Sequence, residues 1–227
     1  MSDTRMQIHP LLGNFDRDSV REAQRFLDAV AKRRKSRAHQ LSGVELGPLA
    51  PEAQRLIERI DEAFDGVTCY REVRVMLGGE AEDEYMSPAA QALLAPLEER
   101  ENWRDIPDDM LLTCQCCLSY VGPHAFRFLI PAFMSAALRG VPFDTFYAGS
   151  YMKDMVVRRA QCYELNEAQR TCISDYLCLE VLLLSWDDNR SFMPWEEEEY
   201  RTHYADSMSP RQYGEMLLKQ FCEREGI

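Results

Sequence analysis

A group of cysteine and histidine residues in this chain could bind a metal ion. Cys114, Cys116 and Cys117 lie close together, and His124 follows them. Cys114 and Cys117 could share one face of a helix, and thiolate and imidazole groups are zinc ligands. A closed zinc site needs four ligands with a second pair at a recognisable spacing, and this chain has no such pair. We therefore expect no metal ion and no cofactor here.

Signatures of catalysis are also missing from the sequence. The chain has four histidines, and none belongs to a His-Glu-x-x-His segment. It has no glycine-rich phosphate loop and no nucleophile signature around a serine or cysteine. The paired Glu-x-x-His segments that hold two iron ions in helical bundles are absent too. The sequence therefore predicts no catalytic residues and favours a protein that is not an enzyme.

Arg127 is the only lysine or arginine in Leu111–Leu138, a stretch without Asp or Glu. An arginine among apolar residues usually pairs with a carboxylate, which favours a structural ion pair inside a helical bundle. The alternative is that Arg127 binds an anion. In that case the protein would be an enzyme or a small-ligand binder with a site near Arg127 and His124.

Aromatic residues interrupt the acidic tract between Asp187 and Tyr200. A plain solvated acidic face does not need aromatic side chains, whereas aromatic residues surrounded by charge are typical of protein interfaces. The alternative is that Phe192 and Trp195 pack beneath the last helix. If the tract is an interface, the partner-binding residues are Asp187, Asp188, Phe192, Trp195, Glu196, Glu197, Glu198, Glu199 and Tyr200.

The charge of the chain is unevenly distributed. The formal net charge is −12, yet residues 1–40 carry +4, so the remainder carries −16. Much of the excess lies in two tracts, 80–109 and 187–199. This balance disfavours a nucleic-acid ligand and favours a basic protein partner, captured by electrostatic steering. The leading hypothesis is a non-catalytic protein-binding protein, most concretely a toxin-neutralising immunity protein or inhibitor.

The helical spacing of apolar residues predicts the elements that position all of these groups. It predicts an all-α protein, a single compact array of roughly eight to ten helices, and we find no convincing strand pattern. Residues 1–40 are expected to form an N-terminal basic helix, and residues 41–227 the main helical domain, together as one domain. The first helix is predicted from Asp16 or Asp18 to about Lys35, and its basic end complements the helix dipole in solvent.

Capping and breaking residues predict where the other helices begin and end. Gly78-Gly79 is predicted to end a helix that starts at Cys69, and the helix from Pro88 is predicted to reach about Glu99. Asn166 and Gln169 form a capping box at the start of an apolar helix that reaches Trp186. The predicted starts are Pro51, Cys69, Pro88, the acidic segment 105–109, Pro123, Asp144, Asn166, Trp195 and Ser209.

The charge-poor segments predict the core and argue against a membrane span. Leu111–Leu138 is long enough to cross a bilayer, but Gly122-Pro123 interrupts it and Arg127 would lie near the bilayer centre. The N-terminus lacks the apolar segment of a secretory signal, so we expect the eight cysteines to be reduced thiols in the cytoplasm. The residues expected to be buried are Trp103, Phe126, Phe128, Phe133, Leu182 and Leu183.

Three segments in the middle of the chain form a recognisable pattern: Trp103 to Pro107, Leu118 to Pro123 and Phe126 to Phe133. The pattern resembles a family of uncharacterised bacterial proteins described only as a domain of unknown function. Asn166 to Arg170 is similar to the Leu-Thr-x-x-Gln helix near the end of that family, with Asn166 here in the capping position. The resemblance covers residues 68–186, and it implies no catalytic residues.

Overall fold

The computed structural model describes residues 15–41, 50–70, 74–141, 143 and 165–186, with the backbone alone described at 39, 40, 177, 178 and 180–186. The α-helices in these residues are α1 (Arg17–Arg37), α2 (Ala50–Ala63), α3 (Met76–Asp83), α4 (Pro88–Ala92), α5 (Asp108–Thr113), α6 (Pro123–Leu138) and α7 (Glu167–Trp186). Short 3-10 segments span Ala38–Leu41, Ala95–Leu97, Trp103–Asp105 and Gln115–Ser119. No strand occurs in the described ranges, and the all-α class is confirmed. The helices predicted near Asp144, Trp195 and Ser209 lie outside the described residues.

Local capping signals set the ends of α1 and α7 as the sequence predicts. The Asp16 carboxylate accepts hydrogen bonds from the backbone N–H groups of Asp18 and Ser19, at 2.9 and 2.8 Å. At the start of α7, Asn166 Oδ1 accepts from the Gln169 N–H at 2.9 Å, and Gln169 Oε1 accepts from the Asn166 N–H at 3.2 Å. This reciprocal pair is the predicted capping box, and it satisfies N–H groups that the helix itself cannot.

The centre of the core is α6, whose side chains are buried along almost its whole length. Helix α1 packs against α4 and α5, and α2 packs against α6 and α7. Four residues predicted to be buried are buried: Trp103, Phe126, Phe128 and Phe133. The side chains of Leu182 and Leu183 lie outside the described residues. The indole N–H of Trp103 donates to the Phe64 carbonyl at 3.1 Å, which ties the segment Trp103–Asp105 to the end of α2.

The predicted helix from Cys69 to Gly78-Gly79 is wrong. Residues 67–70 are not helical, and α3 begins at Met76 and runs through both glycines. A Cβ atom on Gly79 would lie 2.8 Å from the Cys117 carbonyl oxygen and 2.9 Å from a methyl group of Val121. The missing side chain therefore lets α3 and the segment Gln115–Ser119 approach closely, and this packing outweighs the weak helix propensity of glycine.

The N-terminus of α3 is capped by a residue that is distant in sequence. The Glu98 carboxylate accepts hydrogen bonds from the backbone N–H groups of Val75, Leu77 and Gly78, at 3.2, 3.0 and 2.8 Å. Val75 occupies the N-cap position and its side chain makes no capping hydrogen bond. Burial raises the pKa of Glu98 even though these three donors favour its charged form.

Helix α4 is shorter than the sequence predicts. Ser87 caps it as expected, accepting from the Ala90 N–H at 3.3 Å, but the helix ends at Ala92 instead of about Glu99. Pro96 cannot donate a backbone hydrogen bond, and its ring clashes with the carbonyl four residues earlier. The chain continues instead as the 3-10 segment Ala95–Leu97. Among the helices in the described ranges, none has the length and apolar character needed to cross a membrane.

Candidate functional site

The most exposed large hydrophobic side chain among the described residues is Tyr85, which follows the end of α3 and is 96% exposed. The Tyr85 N–H donates to the Glu82 carbonyl and the Met86 N–H donates to the Ala81 carbonyl, both at 3.0 Å. These two hydrogen bonds form a Schellman motif, whose C′ residue has a left-handed backbone and is usually glycine. Tyr85 holds that position with a φ of 55°.

Tyrosine at this position lowers stability, and no burial of the ring offsets that cost. A side chain in the left-handed region meets the following carbonyl, and glycine avoids this contact. The exposed ring also gains almost nothing from burial. Three acidic residues precede it, so we define the Tyr85 surface as Glu82, Asp83, Glu84 and Tyr85. An exposed aromatic residue beside acidic groups is the composition predicted for residues 187–200, found here at a different place.

Ion pairs with Arg33 of α1 and with Arg74 hold the Tyr85 surface in place. Arg33 contacts Glu84 at 2.6 Å and Glu80 at 3.4 Å, while Arg74 contacts Glu82 at 2.9 Å. Glu80 is 4% exposed, and burial raises its pKa to about 7, although the charge of Arg33 acts in the opposite direction. A carboxyl group with this pKa changes charge within the physiological range.

The basic end of α1 does not lie freely in solvent as the sequence suggests. Arg34 pairs with Asp109, and Arg37 donates to the Leu112 carbonyl oxygen. These arginines therefore fasten α1 to α5, in addition to the pairs that Arg33 makes with α3. The cluster complements the helix dipole, as predicted, but it also binds two neighbouring helices.

A second exposed tyrosine also adjoins acidic side chains. Tyr70 is 62% exposed, and partial loss of hydration together with the charge of Glu101 raises its pKa. Glu99 lies close enough to add to this effect. Tyr70 is therefore, like Tyr85, an exposed aromatic ring beside carboxylates of the acidic tract 80–109.

The cysteine cluster has no thiol suited to nucleophilic chemistry. Cys114 and Cys117 are fully buried, and burial raises the pKa of both thiols well above the usual value. Burial also raises the pKa of Cys116 to about 11, and the nearby charge of Glu80 adds to the shift. Protonated thiols are poor nucleophiles and poor metal ligands. Within the described ranges, no three His, Cys, Asp or Glu side chains are grouped as a metal site requires.

A cavity of about 180 Å³ lies where α2, α5, α6 and the segment Trp103–Asp105 meet. Buried apolar walls come from Trp103, Ile106 and Leu111. Charged residues at its rim are Asp61, Arg104 and Arg139. Arg104 donates to an Asp61 carboxylate oxygen at 2.8 Å, and its guanidinium lies 4.4 Å from the centre of the Trp103 ring. The cavity is smaller than a typical drug-sized ligand pocket, which measures roughly 300–1,000 Å³.

A family model matches residues 52–199, about two thirds of the chain. The chain belongs to DUF6714, a family of unknown function. No curated protein and no solved structure is significantly similar to it. The predicted membership of a domain-of-unknown-function family is therefore confirmed, over a longer stretch than the resemblance between residues 68 and 186 indicates.

The DUF6714 region contains both the Tyr85 surface and the cavity. Trp103 and Ala132, which belong to two of the segments that carry the resemblance, line the cavity. The region begins within α2, so the arginines of α1 lie before it, and it ends at Glu199. The acidic tract that begins at Asp187 is thus mostly inside the family match, although the resemblance in the sequence ended before it.

All nine residues predicted to form the partner site of this DUF6714 chain lie outside the described residues. They are Asp187, Asp188, Phe192, Trp195, Glu196, Glu197, Glu198, Glu199 and Tyr200. The described backbone reaches Trp186, at the end of α7, immediately before this tract. Their role as the partner site therefore stays a prediction.

Arg127 and His124 do not line the cavity. The Nε of Arg127 donates to the side-chain amide oxygen of Gln169 at 3.2 Å. In the part of the chain that the structure describes, Arg127 thus binds an amide that also belongs to the α7 capping box, where the sequence suggested a carboxylate. This contact positions the start of α7 against α6.

Sequence reasoning did not find Tyr85. The segment Glu82-Asp83-Glu84-Tyr85 precedes the Ser87-Pro88 cap of the next helix, so it must contain the end of the previous one. Placing the end of α3 at Gly78-Gly79 concealed that signal. With the helix extended to Asp83, Tyr85 occupies the position where a glycine is normally found.

Proposed function

We propose that this protein is a non-catalytic protein-binding protein that presents acidic, aromatic surfaces to a basic partner. The observation that carries the proposal is Tyr85, an almost fully exposed tyrosine in a backbone conformation that favours glycine. A residue that lowers the stability of the folded chain is best explained by a contact made outside it. Tyrosine is enriched among residues that dominate binding at protein interfaces.

Charge supports the choice of a basic partner. The chain carries a net charge of −12, and both highly exposed tyrosines, Tyr70 and Tyr85, adjoin carboxylates. Complementary charge accelerates encounter, and a buried aromatic anchor then slows dissociation. The protonated thiols of the cysteine cluster give further support, because they offer no nucleophile.

The most concrete form of this role is a toxin-neutralising immunity protein or inhibitor that acts in the cytoplasm. Such a protein needs a stable scaffold and a charged, preformed surface. The acidic tract between Asp187 and Tyr200 would enlarge the surface available for the partner. The candidate partner is the product of a gene adjacent to the one that encodes this chain.

Two substitutions of Tyr85 test the proposal with opposite readouts. Tyr85→Gly removes the ring and relieves the left-handed backbone, so we expect weaker partner binding together with a gain of about 1 kcal/mol in the free energy of unfolding. Tyr85→Ala removes the ring but keeps the unfavourable backbone, so it should weaken binding without that gain. Surface plasmon resonance against the adjacent gene product and chemical denaturation measure the two effects.

A variant that is more stable yet binds less tightly cannot be explained by misfolding. Tyr70→Ala asks whether the second exposed tyrosine belongs to the same interface. A basic partner that binds Tyr85→Gly, Tyr85→Ala and the wild-type chain with equal affinity would remove the support that Tyr85 gives to the proposal.

A further inference from the structure

The guanidinium of Arg33 on α1 lies between two carboxylates, one buried and one exposed. Its Nη1 donates a hydrogen bond of 2.6 Å to Oε1 of Glu84, which is 37% exposed. Its Nη2 lies 3.4 Å from Oε1 of the buried Glu80 and makes no hydrogen bond. Arg33 therefore binds the exposed carboxylate and gives the buried one no hydrogen bond.

Three buried polar atoms at this junction have no hydrogen-bond partner among the described residues. They are Nε and Nη2 of Arg33 and Oε2 of Glu80. Buried polar atoms are nearly always paired, and each exception requires an explanation. Nε and Nη2 lie along one edge of the guanidinium, and such an edge can bind a carboxylate through two parallel hydrogen bonds. The unpaired atoms thus belong to a bidentate ion pair that Arg33 and Glu80 can form but do not form in this arrangement.

The protonation state of Glu80 decides which carboxylate Arg33 binds. Burial favours the neutral form and raises the pKa of Glu80 to about 7, and a neutral carboxyl group does not compete for the guanidinium. An ionised, buried carboxylate without a partner is strongly unfavourable, whereas an exposed ion pair such as Arg33–Glu84 stabilises little. Ionisation of Glu80 should therefore draw Arg33 away from Glu84.

The other groups around Glu80 do not replace Arg33 in this role. Arg37 on α1 acts on Glu80 from farther away and donates to the Leu112 carbonyl oxygen. Asp83 and Glu84, at the end of α3, add negative charge that favours the neutral form of Glu80. The charge of Glu80 also acts on three thiols whose pKa is raised by burial, so that they are protonated at neutral pH: Cys114, Cys116 and Cys117.

We propose that protonation of Glu80 exchanges Arg33 between Glu84 and Glu80, and that this exchange regulates the charge of the Tyr85 surface. With Glu80 neutral, Arg33 neutralises Glu84. With Glu80 ionised, Arg33 forms the bidentate pair with it and leaves the carboxylate of Glu84 beside Tyr85 without this cation. A rise in pH thus adds one negative charge to the surface that meets a basic partner. The regulatory meaning rests on the proposed protein-binding role, whereas the exchange itself does not.

NMR of the full chain between about pH 5.5 and 8.5, a range around the pKa of about 7, tests the exchange without any partner. We expect the Nε–H resonance of Arg33 and the side-chain carboxyl carbon of Glu84 to shift with one common midpoint, because Arg33 leaves one carboxylate and binds the other. Asp83 is the matched control, since its charge also acts on Glu80 but it has no ion pair with Arg33 among the described contacts. Its carboxyl carbon should shift clearly less. A Glu84 shift no larger than that of Asp83 would overturn the exchange.

Glu80→Gln assigns the transition to its source. This variant keeps the shape of the side chain and removes a charge from the interior, so it does not threaten the fold. The shifts of Arg33 and Glu84 in this range should disappear, and their persistence would assign them to another group and overturn the proposal. Arg21→Gln removes an exposed arginine elsewhere on α1 and should leave both transitions unchanged.

The adjacent gene product provides a separate readout of the regulatory part. Surface plasmon resonance at about pH 6 and 8, on either side of the pKa of Glu80, should show a larger gain in association rate for the wild-type chain than for Glu80→Gln. An equal gain in both chains would overturn the regulation. Loss of the NMR transitions would remove the exchange and leave the Tyr85→Gly test intact, so the two proposals fail separately.

Discussion

Glu80 is a carboxylic acid placed where a charge is unfavourable. It is 4% exposed, its nearest cation is 3.4 Å away, and its Oε2 has no hydrogen-bond partner among the described residues. Burial is the main cause of its raised pKa, and the charges of Asp83 and Glu84 add to it, while Arg33 and Arg37 oppose it. The protonated form therefore fits the folded protein better than the charged form.

The raised pKa of Glu80 predicts a pH-dependent stability. The pKa rises from 4.5 to about 7 on folding, so the stabilising contribution is complete below pH 4.5 and is lost as the pH rises through 7. Glu80→Gln keeps the shape without the charge. We expect the wild-type chain to lose about 3 kcal/mol of unfolding free energy relative to Glu80→Gln between pH 4.5 and 8. Urea denaturation across this range measures the difference.

Glu84→Gln is the matched control, because Glu84 also pairs with Arg33 but is 37% exposed. This variant still contains the buried Glu80, and burial is the main cause of the raised pKa, so it should keep most of the wild-type dependence on pH between 4.5 and 8, reduced only by the loss of the Glu84 charge. A free-energy difference between Glu80→Gln and the wild-type chain that stays constant over that range would contradict the assignment.

The two glycines of α3 show how packing between elements decides a helix. Gly79 faces the backbone of Cys117, which cannot move away without displacing the segment Gln115–Ser119. Gly78 faces the Cβ and Cγ atoms of Arg74 at 3.1 Å and a carboxylate oxygen of Glu98 at 3.4 Å, so an added methyl group there requires a smaller displacement than at Gly79. The same substitution at neighbouring positions should therefore have different consequences.

Gly79→Ala is expected to lower the free energy of unfolding by about 1–3 kcal/mol, because overpacking outweighs the gain of about 1 kcal/mol in helix propensity. Gly78→Ala should cost clearly less, and thermal denaturation of both variants gives the comparison. A larger loss of stability in Gly78→Ala than in Gly79→Ala would show that the close approach at Gly79 does not explain why glycine occupies these positions.

Elements with local signals could be predicted from the sequence. Asp16 and the Asn166–Gln169 pair lie within a few residues of the groups they cap, and Pro123 begins α6 for a reason contained in the proline itself. The start of α3 could not be predicted in this way, because Glu98 caps it from more than twenty residues away. The role of Gly79 depends on Cys117, and this contact is invisible before the chain is folded.

The candidate sites also divide into features with a local signal in the sequence and features that depend on contacts between distant residues. The acidic character of residues 80–109 is evident from composition, but the exposure of Tyr85 depends on where α3 ends. The cavity depends on the meeting of several elements, so no spacing in the sequence indicates it. Arg127 attracted interest through its charge alone, and its contact with Gln169 appears only when α6 and α7 pack together.

The charge of the whole molecule predicts how it meets a partner. If the acidic tract between Asp187 and Tyr200 steers a basic protein, association should slow as the salt concentration rises above roughly 0.1 M, where the Debye length is about 10 Å. Reversal of Glu197 and Glu198 to lysine should slow association, whereas Trp195→Ala should speed dissociation, because an aromatic anchor acts after encounter. Surface plasmon resonance at two salt concentrations separates the effects.

Lys32→Glu with Lys35→Glu, on the exposed basic side of α1, is the matched control for charge reversal. It makes the chain more acidic, so association with a basic partner should quicken slightly. An association rate that responds neither to salt nor to either pair of reversals would exclude long-range steering by this protein.

The cap that Glu98 places on α3 links two events in the folding of the chain. The backbone N–H groups of Val75, Leu77 and Gly78 obtain their acceptor only after the turn around residue 98 has formed. Helix α3 and that turn should therefore open and close as one cooperative unit, visible as matched hydrogen-exchange rates. Because Tyr85 follows the other end of the same short helix, opening at Glu98 would also disorder the surface that displays its ring.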